Sequence, residues 1–277
     1  MGLATRGQGA SEEVVACDHD HGILSLGSTI RLAHLSDTHL VGGESEILPF
    51  DRDSTATLSA VIDAYSARPD VAVITGDLAE DPSREVYRKV RALASPLADE
   101  VHVVAGNHDD RVTIDEVLGA GDDLRVVPLS PHWTMVLVNS QWAGHDAGHI
   151  ESETLAALDE ALARTRRHVV VCMHHPPAST CADPYCRIVN AGEVLDVLSR
   201  SSRPRAVLSG HLHRSFDTTY GGIRFLGAPS TCRQLTHGGN PHFGLTSAPP
   251  AARLLDLHAD GGITCTTVSA RYAYADR

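Results

Sequence analysis

The sequence Gly106-Asn107-His108-Asp109 brings together side chains that can bind a metal ion or transfer a proton. It directly follows the apolar run 101–105, so we predict a turn at the C-terminal end of a buried strand. Glycine permits a sharp turn and a close backbone approach to a ligand. Four residues alone do not distinguish a site from an ordinary polar loop. The significance of this turn therefore depends on whether other strand ends supply further ligands.

Four more apolar runs end in polar motifs of the same kind. These motifs are Asp37-Thr38-His39 after 30–35, Gly76-Asp77 after 71–75, His174-His175-Pro176-Pro177 after 168–173, and Gly210-His211-Leu212-His213 after 206–209. Ligands of open sheets bind beyond the carboxyl ends of the strands, so all five loops are expected to converge on one crevice. If the first motif is extended, Asp37 and His39 point to the same face and can bind one cation.

The residue types indicate which metals would bind. Imidazole, carboxylate and amide oxygen, without an evident thiolate, suit Mn, Fe, Zn or Ni better than Ca or Mg alone. Seven candidate ligands are too many for one ion and are enough for two. Two-metal sites hold their ions about 3.5–4 Å apart, which requires a bridging group. Asp77 is the expected bridge because it is the single ligand on its loop.

The elements that position these motifs alternate between strands and helices. Helices are predicted at 54–67 (with Ser54 as a cap), from 81 to about 94, and at 111–119, 151–166 and 191–199, and a further strand is predicted at 134–138. This order predicts right-handed crossovers and a largely parallel or mixed sheet covered by helices. After residue 215, short segments at 216–219, 223–228, 252–257 and 263–268 predict antiparallel strands that complete a second sheet.

Composition restricts the class of protein. The chain has 277 residues, 42% of them hydrophobic, which is enough for one domain that we place at 29–277. Residues 1–28 show no periodicity and are expected to form a tail. A net charge of −12 argues against nucleic acid as a partner. The sequence contains neither the roughly 18 to 20 apolar residues of a membrane span nor the features of a signal peptide, so we expect a cytoplasmic protein.

The six cysteines are irregularly spaced, at positions 17, 172, 181, 186, 232 and 265. This spacing favours mostly reduced thiols. Two alternatives remain open for Cys181 and Cys186, which could pair with each other or hold a metal together with other ligands.

Taken together, the five motifs resemble those of the calcineurin-like metallophosphoesterases, over about residues 30 to 230. Within that superfamily the chain is most similar to class III cyclic nucleotide phosphodiesterases. This second resemblance rests on His174-His175-Pro176-Pro177, on Ala228-Pro229-Ser230-Thr231-Cys232, and on the segment from Ala248 to Gly262. It implies a four-layer α/β/β/α sandwich of two mixed β-sheets flanked by helices.

The resemblance also implies a role for each residue. The first metal ion would be bound by Asp37, His39, Asp77 and His213, and the second by Asp77, Asn107, His174 and His211. The metals expected are Mn²⁺ and Fe²⁺ or Fe³⁺, with Zn²⁺, Ni²⁺ or Co²⁺ as alternatives. The substrate would contact His39, Asn107, His108 and His213. Asp109 would either orient an imidazole or cap the turn. His175 adjoins a ligand but points the other way if its segment is extended, so from this geometry we expect a supporting or packing role rather than direct coordination.

These roles define a reaction. A metal-bound hydroxide would attack phosphorus, and His108 would protonate the leaving oxygen. The expected substrates are 3′,5′-cyclic nucleotides, cAMP and also cGMP, which would be hydrolysed to nucleoside 5′-monophosphates. A broader phosphodiesterase acting on 2′,3′-cyclic nucleotides, glycerophosphodiesters or nucleotide diphosphates is the alternative.

Other classes fit the sequence less well. A related protein phosphatase would carry an arginine soon after Gly76-Asp77, whereas Arg84 comes only later. A DNA-end nuclease would need a basic surface. A metal-free scaffold would have lost ligands that are all present in this chain. The last strands could support a homodimer, which the sequence does not decide.

Overall fold

The apolar runs that precede the polar motifs form buried strands. A computed structural model describes residues 29–43, 49–181, 186, 188–237 and 243–271, so the predicted tail at 1–28 lies outside the described residues. The strands in these ranges are β1 (Thr29–Leu35), β2 (Val71–Thr75), β3 (Glu100–Val104), β4 (Leu124–Pro128), β5 (Trp133–Val138), β6 (His168–Cys172), β7 (Pro204–Ser209), β8 (Phe216–Tyr220), β9 (Ile223–Gly227), β10 (Leu235–His237), β11 (Phe243–Leu245), β12 (Ala251–His258) and β13 (Ile263–Ser269).

The described helices are α1 (Ser54–Asp63), α2 (Arg84–Ala94), α3 (Arg111–Leu118), α4 (Ser152–Arg164) and α5 (Ala191–Ser199). The cap of α1 is Asp53 rather than Ser54, because the Asp53 carboxylate accepts hydrogen bonds from the backbone N–H groups of Thr55 and Ala56. Helix α2 begins later than expected, since Ser83 caps it. Side-chain caps that satisfy the free N–H groups therefore set both starts.

Two sheets carry the motifs. The first has the order β13-β12-β1-β2-β3, in which β1, β2 and β3 are parallel. The second has the order β4-β5-β6-β7-β9-β8, with β5, β6, β7 and β9 parallel. Strands β10 and β11 form a separate antiparallel pair.

The core is divided into three apolar layers. One lies between the sheets and joins Leu32 and Val73 of the first to Met135 and Val170 of the second. Another packs α1, α2 and α3 on the outer face of the first sheet, and a third packs α4 and α5 on the second. This arrangement confirms the predicted four-layer α/β/β/α sandwich.

The C-terminal strands divide between the sheets. Strands β8 and β9 join the second sheet, but β12 and β13 extend the first, because β12 pairs antiparallel with β1. The expectation that the segment from 215 completes the second sheet therefore holds for β8 and β9, whereas β12 and β13 extend the first sheet. Among the residues that the structure describes, no helix has the length and apolar character needed to cross a bilayer.

Candidate metal centre

The polar loops from both sheets meet at one edge of the sandwich. Asp37 and His39 follow β1, Asp77 follows β2, and Asn107 and His108 follow β3. His174 follows β6 of the facing sheet, and His211 and His213 follow β7. The backbone N–H of His211 donates to Asp37 Oδ1 across the two sheets at 3.0 Å. The five loops therefore converge because the two sheets stack on each other, which brings the carboxyl ends of β6 and β7 next to those of β1, β2 and β3.

Four predicted ligands form one tight group of buried side chains. These are Asp37, His39, Asp77 and His213, whose donor atoms all lie within 4.8 Å of one another. The Nε2 atoms of His39 and His213 are 3.0 Å apart. Asp37 Oδ1 lies 3.6 Å from His213 Nε2, and Asp77 Oδ2 lies 3.8 Å from His39 Nε2. This is the set expected for the first metal ion.

The outer hydrogen bonds of these imidazoles show what the group can bind. His39 Nδ1 donates to the Glu80 carboxylate at 2.7 Å, and His213 Nδ1 donates to the carbonyl of Arg233 at 2.8 Å. In the neutral ring each Nε2 then carries a lone pair, and the two lone pairs face each other. Burial and the nearby His39 hold the pKa of His213 well below its usual range. A cation between the two nitrogens would remove their repulsion, as in sites where outer acceptors fix the tautomer of ligating histidines.

A second group of predicted ligands also contacts Asp77. His174 Nε2 is 3.4 Å from Asp77 Oδ2 and 3.1 Å from Asn107 Oδ1, while His174 Nδ1 bonds the carbonyl of Thr75 at 2.7 Å. The ring of His211 packs 5.2 Å from that of His174. Although burial opposes it, the Asp77 carboxylate raises the pKa of His174 to about 9. The pocket thus favours a positive charge at this point, which a metal ion would also supply.

The buried carboxylates also indicate that this pocket favours a bound cation. Asp37 Oδ2 is buried without a hydrogen-bond partner among the described residues. Burial raises the pKa of Asp37 to about 6, and the charge of Asp77 adds to the rise. An ionised carboxylate in such surroundings is costly unless a cation compensates it. The donor set therefore fits a metal centre, and Asp77, which contacts both groups, is placed where a bridging ligand would lie.

The backbone is strained at the predicted ligands. Five of the non-glycine residues with positive φ are Asp37, His39, Asp77, His211 and His213, with φ between 45° and 67°. Such conformations cost on the order of 1–3 kcal/mol each and tend to cluster at functional sites. The expectation that Asp37 and His39 lie in an extended segment is wrong, because both adopt the left-handed conformation. Their side chains nevertheless reach the same group.

Two glycines allow the loops to come this close. A Cβ atom at Gly106 would overlap the backbone N and Oδ1 of Asp77, and one at Gly210 would overlap Ser36 Oγ. At Gly106 the overlap is with backbone, which a side-chain rotation cannot relieve. The glycines of these two motifs therefore serve close approach between loops.

His108 is the predicted acid, and its partner was missed at the sequence level. Its side chain is 35% exposed, whereas those of His39 and His174 are fully buried. Glu80 Oε2 lies 3.2 Å from His108 Nδ1 and also bonds His39. The hydrogen bond to Glu80 raises the pKa of His108 to about 9. The only sequence signal for Glu80 was its position three residues after Asp77, on the same loop.

Asp109 caps the turn rather than orienting an imidazole. Its buried carboxylate accepts hydrogen bonds from the backbone N–H groups of Leu78, Ala79 and Gly106 and from the hydroxyl of Tyr87. It therefore holds the loop after β2 against the loop after β3. This resolves the two alternatives left open by the sequence.

His175 lies behind the ligands, as predicted. Its Nδ1 is 3.0 Å from Ser140 Oγ, and its Nε2 is 3.0 Å from the carbonyl of Asp146. Both ring nitrogens thus have partners outside the predicted ligands, although one of them lies within 4.8 Å of ring nitrogens of His174 and His211 and the ring packs 4.6 Å from that of His211.

Three other features of the site were not predicted. The ring of Phe50 packs edge-on against His39 and His213, with centroids 5.1 Å from each. Gln141 Nε2 donates to the carbonyls of Gly106 and Asp109 at 2.8 and 2.6 Å, which fixes the loop after β5 to the Asn107–His108 turn. The next residue, Trp142, stacks on His145 with centroids 3.5 Å apart.

Relatives with an assigned activity cover most of the chain. This chain is 32% identical over 241 residues to the 3′,5′-cyclic adenosine monophosphate phosphodiesterase CpdA of Pseudomonas aeruginosa, and the match covers 84% of this chain and 88% of the relative. It is 30% identical over 253 residues to the 3′,5′-cyclic-nucleotide phosphodiesterase alr5338 of Nostoc sp., covering 89% and 94%.

A comparison with solved structures and a match to a family model agree with these similarities. A dimetal phosphatase from Danio rerio superposes with a TM-score of 0.63 at 18% identity, covering 87% of this chain and 99% of that structure. The model of the calcineurin-like phosphoesterase family matches residues 30–215. The chain therefore belongs to the calcineurin-like phosphoesterase family, which confirms the resemblance and the hydrolase class expected from the sequence.

Proposed function

We propose that this protein is a two-metal phosphodiesterase that hydrolyses 3′,5′-cyclic nucleotides, with cAMP as the main substrate and cGMP as a second one. The observation that carries the proposal is the buried donor set around Asp77 with the half-exposed His108 beside it. The activities of the relatives support the choice of substrate. Because no alternative phosphodiester has comparable support, the broader specificities are left to the test below.

In this proposal each metal ion has four protein ligands. Asp37, His39, Asp77 and His213 hold the first. Asp77, Asn107, His174 and His211 hold the second. The support is that Asp77 contacts both groups and that outer hydrogen bonds leave Nε2 of His39, His174 and His213 facing inward. Mn²⁺ and iron are the proposed metals, since they accept this mixture of imidazole and oxygen ligands.

The bound ions would supply an activated water and stabilise the charge that develops on the phosphate oxygens. The substrate phosphate would lie against His39, Asn107, His108 and His213. Water adds to phosphorus, the bond from phosphorus to O3′ breaks, and a nucleoside 5′-monophosphate forms.

His108 is the proposed general acid. Its Nδ1–H donates to Glu80, so Nε2 is the nitrogen that can give a proton to O3′ as the bond breaks. This hydrogen bond raises the pKa of His108 and so favours the protonated ring. Its partial exposure leaves it accessible to a substrate, unlike the buried ligands. Positioned acids of this kind contribute roughly 10²–10⁴-fold to the rate.

Trp142 and His145 are proposed to form a surface on which the nucleobase stacks. Gln141, the residue before Trp142, is bonded to the turn that carries Asn107 and His108. Flat stacking on aromatic rings tolerates any base, so this surface would accept both adenine and guanine. The cytoplasmic location and a homodimer remain predictions.

A substrate panel tests the proposal. Protein loaded with Mn²⁺ is assayed with 3′,5′-cAMP, 3′,5′-cGMP, 2′,3′-cAMP, a bis-aryl phosphate, a glycerophosphodiester and phosphomonoesters. We expect the highest kcat/KM for a 3′,5′-cyclic nucleotide. Higher values for 2′,3′-cAMP or the glycerophosphodiester would favour the broader phosphodiesterase, and preference for monoesters would contradict the proposal.

A further inference from the structure

A second cluster of metal-binding side chains lies outside the centre described above. Cys181 and Cys186 come from the loop after β6, and His237 ends β10. Their sulfur and nitrogen atoms all lie within 4.8 Å of one another. The structure joins the two cysteines in a disulfide with Cα atoms 6.2 Å apart. We call these three residues the thiol–imidazole cluster.

The tautomer of His237 is fixed by its surroundings. Its Nε2 donates to the carbonyl of Leu212 at 2.7 Å, so in the neutral ring Nδ1 carries a lone pair. That lone pair faces Cys186 Sγ at 3.5 Å. A disulfide sulfur has no proton to donate to it. The geometry suits a thiol or a cation next to this nitrogen better than it suits the disulfide.

This pattern is the one that ligating histidines adopt. A carbonyl that accepts from one ring nitrogen directs the other toward a metal ion. The same relation occurs in the main centre, where the carbonyls of Thr75 and Arg233 orient His174 and His213. His237 is oriented in this way toward two cysteine sulfurs, although it belongs to neither group of the main centre.

The cluster is attached to the loop that supplies two predicted ligands. Leu212, whose carbonyl accepts from His237, lies between His211 and His213. Arg214 Nη2 donates to Thr180 Oγ1 at 3.0 Å, next to Cys181. The backbone N–H of Leu235 donates to the carbonyl of His213 at 3.1 Å. Both loops that carry the cluster are therefore bonded to the turn after β7.

We propose that the thiol–imidazole cluster is a separate site for a thiophilic divalent cation, occupied when its cysteines are reduced. Two thiolates and one imidazole are ligands that Zn²⁺ and Co²⁺ accept in tetrahedral sites, with one position left for water. A dithiol reductant opens the site: the S–S bond takes up two electrons and two protons to give two thiols, and the reductant becomes a disulfide. Binding the divalent cation then releases both protons. The proposed ligands of the main centre are only nitrogen and oxygen donors, so a cation bound there has no sulfur ligand.

Cobalt spectroscopy tests the proposal without using activity. Protein reduced with excess dithiothreitol, then freed of it, is titrated with Co²⁺ under anaerobic conditions. Thiolate ligands give an intense sulfur-to-cobalt charge-transfer band in the near ultraviolet, which the main centre cannot produce. We expect this band in the reduced protein and its loss after oxidation with diamide.

Variants connect the band to these residues. The double variant Cys181→Ser/Cys186→Ser should lose the band but keep the far-ultraviolet circular dichroism and the weaker visible bands of cobalt in the main centre. His237→Ala should retain a weakened band that shifts in wavelength. Cys17→Ser and Cys265→Ser are the matched controls and should leave it unchanged. A band that survives in the double variant, or no band in the reduced wild type, would overturn the proposal.

Discussion

Replacing Glu80 with glutamine tests a residue that acts on the site through hydrogen bonds rather than as a metal ligand. Glu80 is not a proposed ligand, yet one of its oxygens serves both His39 at 2.7 Å and His108 at 3.2 Å. Glutamine keeps the size of the side chain but removes its charge. Its single carbonyl oxygen replaces a charged acceptor, so at least one of the two imidazoles loses its charge-assisted bond.

The expected size of the effect follows from the lost interaction. Hydrogen bonds to charged groups contribute about 1.5–3 kcal/mol. Since about 1.4 kcal/mol corresponds to a factor of ten in rate, kcat/KM should fall by about 10- to 100-fold. Residues that orient metal ligands have effects of similar size.

The pH profile gives a more specific signature. The hydrogen bond to Glu80 raises the pKa of His108 to about 9. A general acid works while protonated, so activity declines as pH rises through that pKa. Glu80→Gln lowers the pKa of His108, and the decline should therefore begin at a lower pH than in the wild type.

The assay measures kcat and KM for 3′,5′-cAMP from pH 6 to 10, together with bound metal by elemental analysis. Glu85→Gln is the matched control, because the Glu85 carboxylate accepts a hydrogen bond from the backbone N–H of Gly43 and not from an imidazole of the site. Wild-type kcat/KM and an unmoved alkaline limb in Glu80→Gln would refute the proposed role of Glu80.

Three further variants test other parts of the account. His108→Ala should keep both metal ions but reduce kcat by roughly 10²–10⁴-fold, and full activity in the metal-loaded variant would contradict its role as acid. Trp142→Ala should raise KM for cAMP by about 5- to 150-fold, as expected for loss of one base stacking contact of about 1–3 kcal/mol, with little change for a glycerophosphodiester, which has no ring to stack; an equal change for both would argue against stacking on the base. Tyr87→Phe should lower the free energy of unfolding by about 1–3 kcal/mol in urea denaturation, because its hydroxyl bonds Asp109 and the backbone of Asp110; an unchanged midpoint would refute this.

The main features of the site could be predicted because they depend on local patterns. Each ligand motif directly follows an apolar run, and the carboxyl ends of parallel strands meet at one edge. The strand-end patterns therefore predicted that the loops converge, and the family resemblance implied the set Asp37, His39, Asp77 and His213, whose donor atoms lie within 4.8 Å of one another. That these four residues bind a metal ion stays a prediction. The sequence could not indicate the left-handed backbone conformation of these ligands. That conformation is imposed by the packing of five loops and is unfavourable for each residue alone.

The missed features depend on contacts between distant or weakly patterned segments. Glu80 has no motif of its own, and its function becomes visible only when His39 and His108 come within reach of it. Strand β4 was missed because it is a half-exposed edge strand ending in Pro128, and proline usually argues against a strand. The position of β12 beside β1 joins residues more than two hundred positions apart, which no local pattern specifies.

The product formed from 3′,5′-cAMP in water enriched in ¹⁸O tests the proposed hydrolysis directly. The metal-loaded protein is allowed less than one turnover per active site, and the nucleotide is analysed by mass spectrometry. We predict 5′-AMP carrying one ¹⁸O atom on its phosphate, because water attacks phosphorus and the bond to O3′ breaks. Formation of 3′-AMP, ¹⁸O on the adenosine instead of the phosphate, or no hydrolysis by the metal-loaded protein would contradict the account.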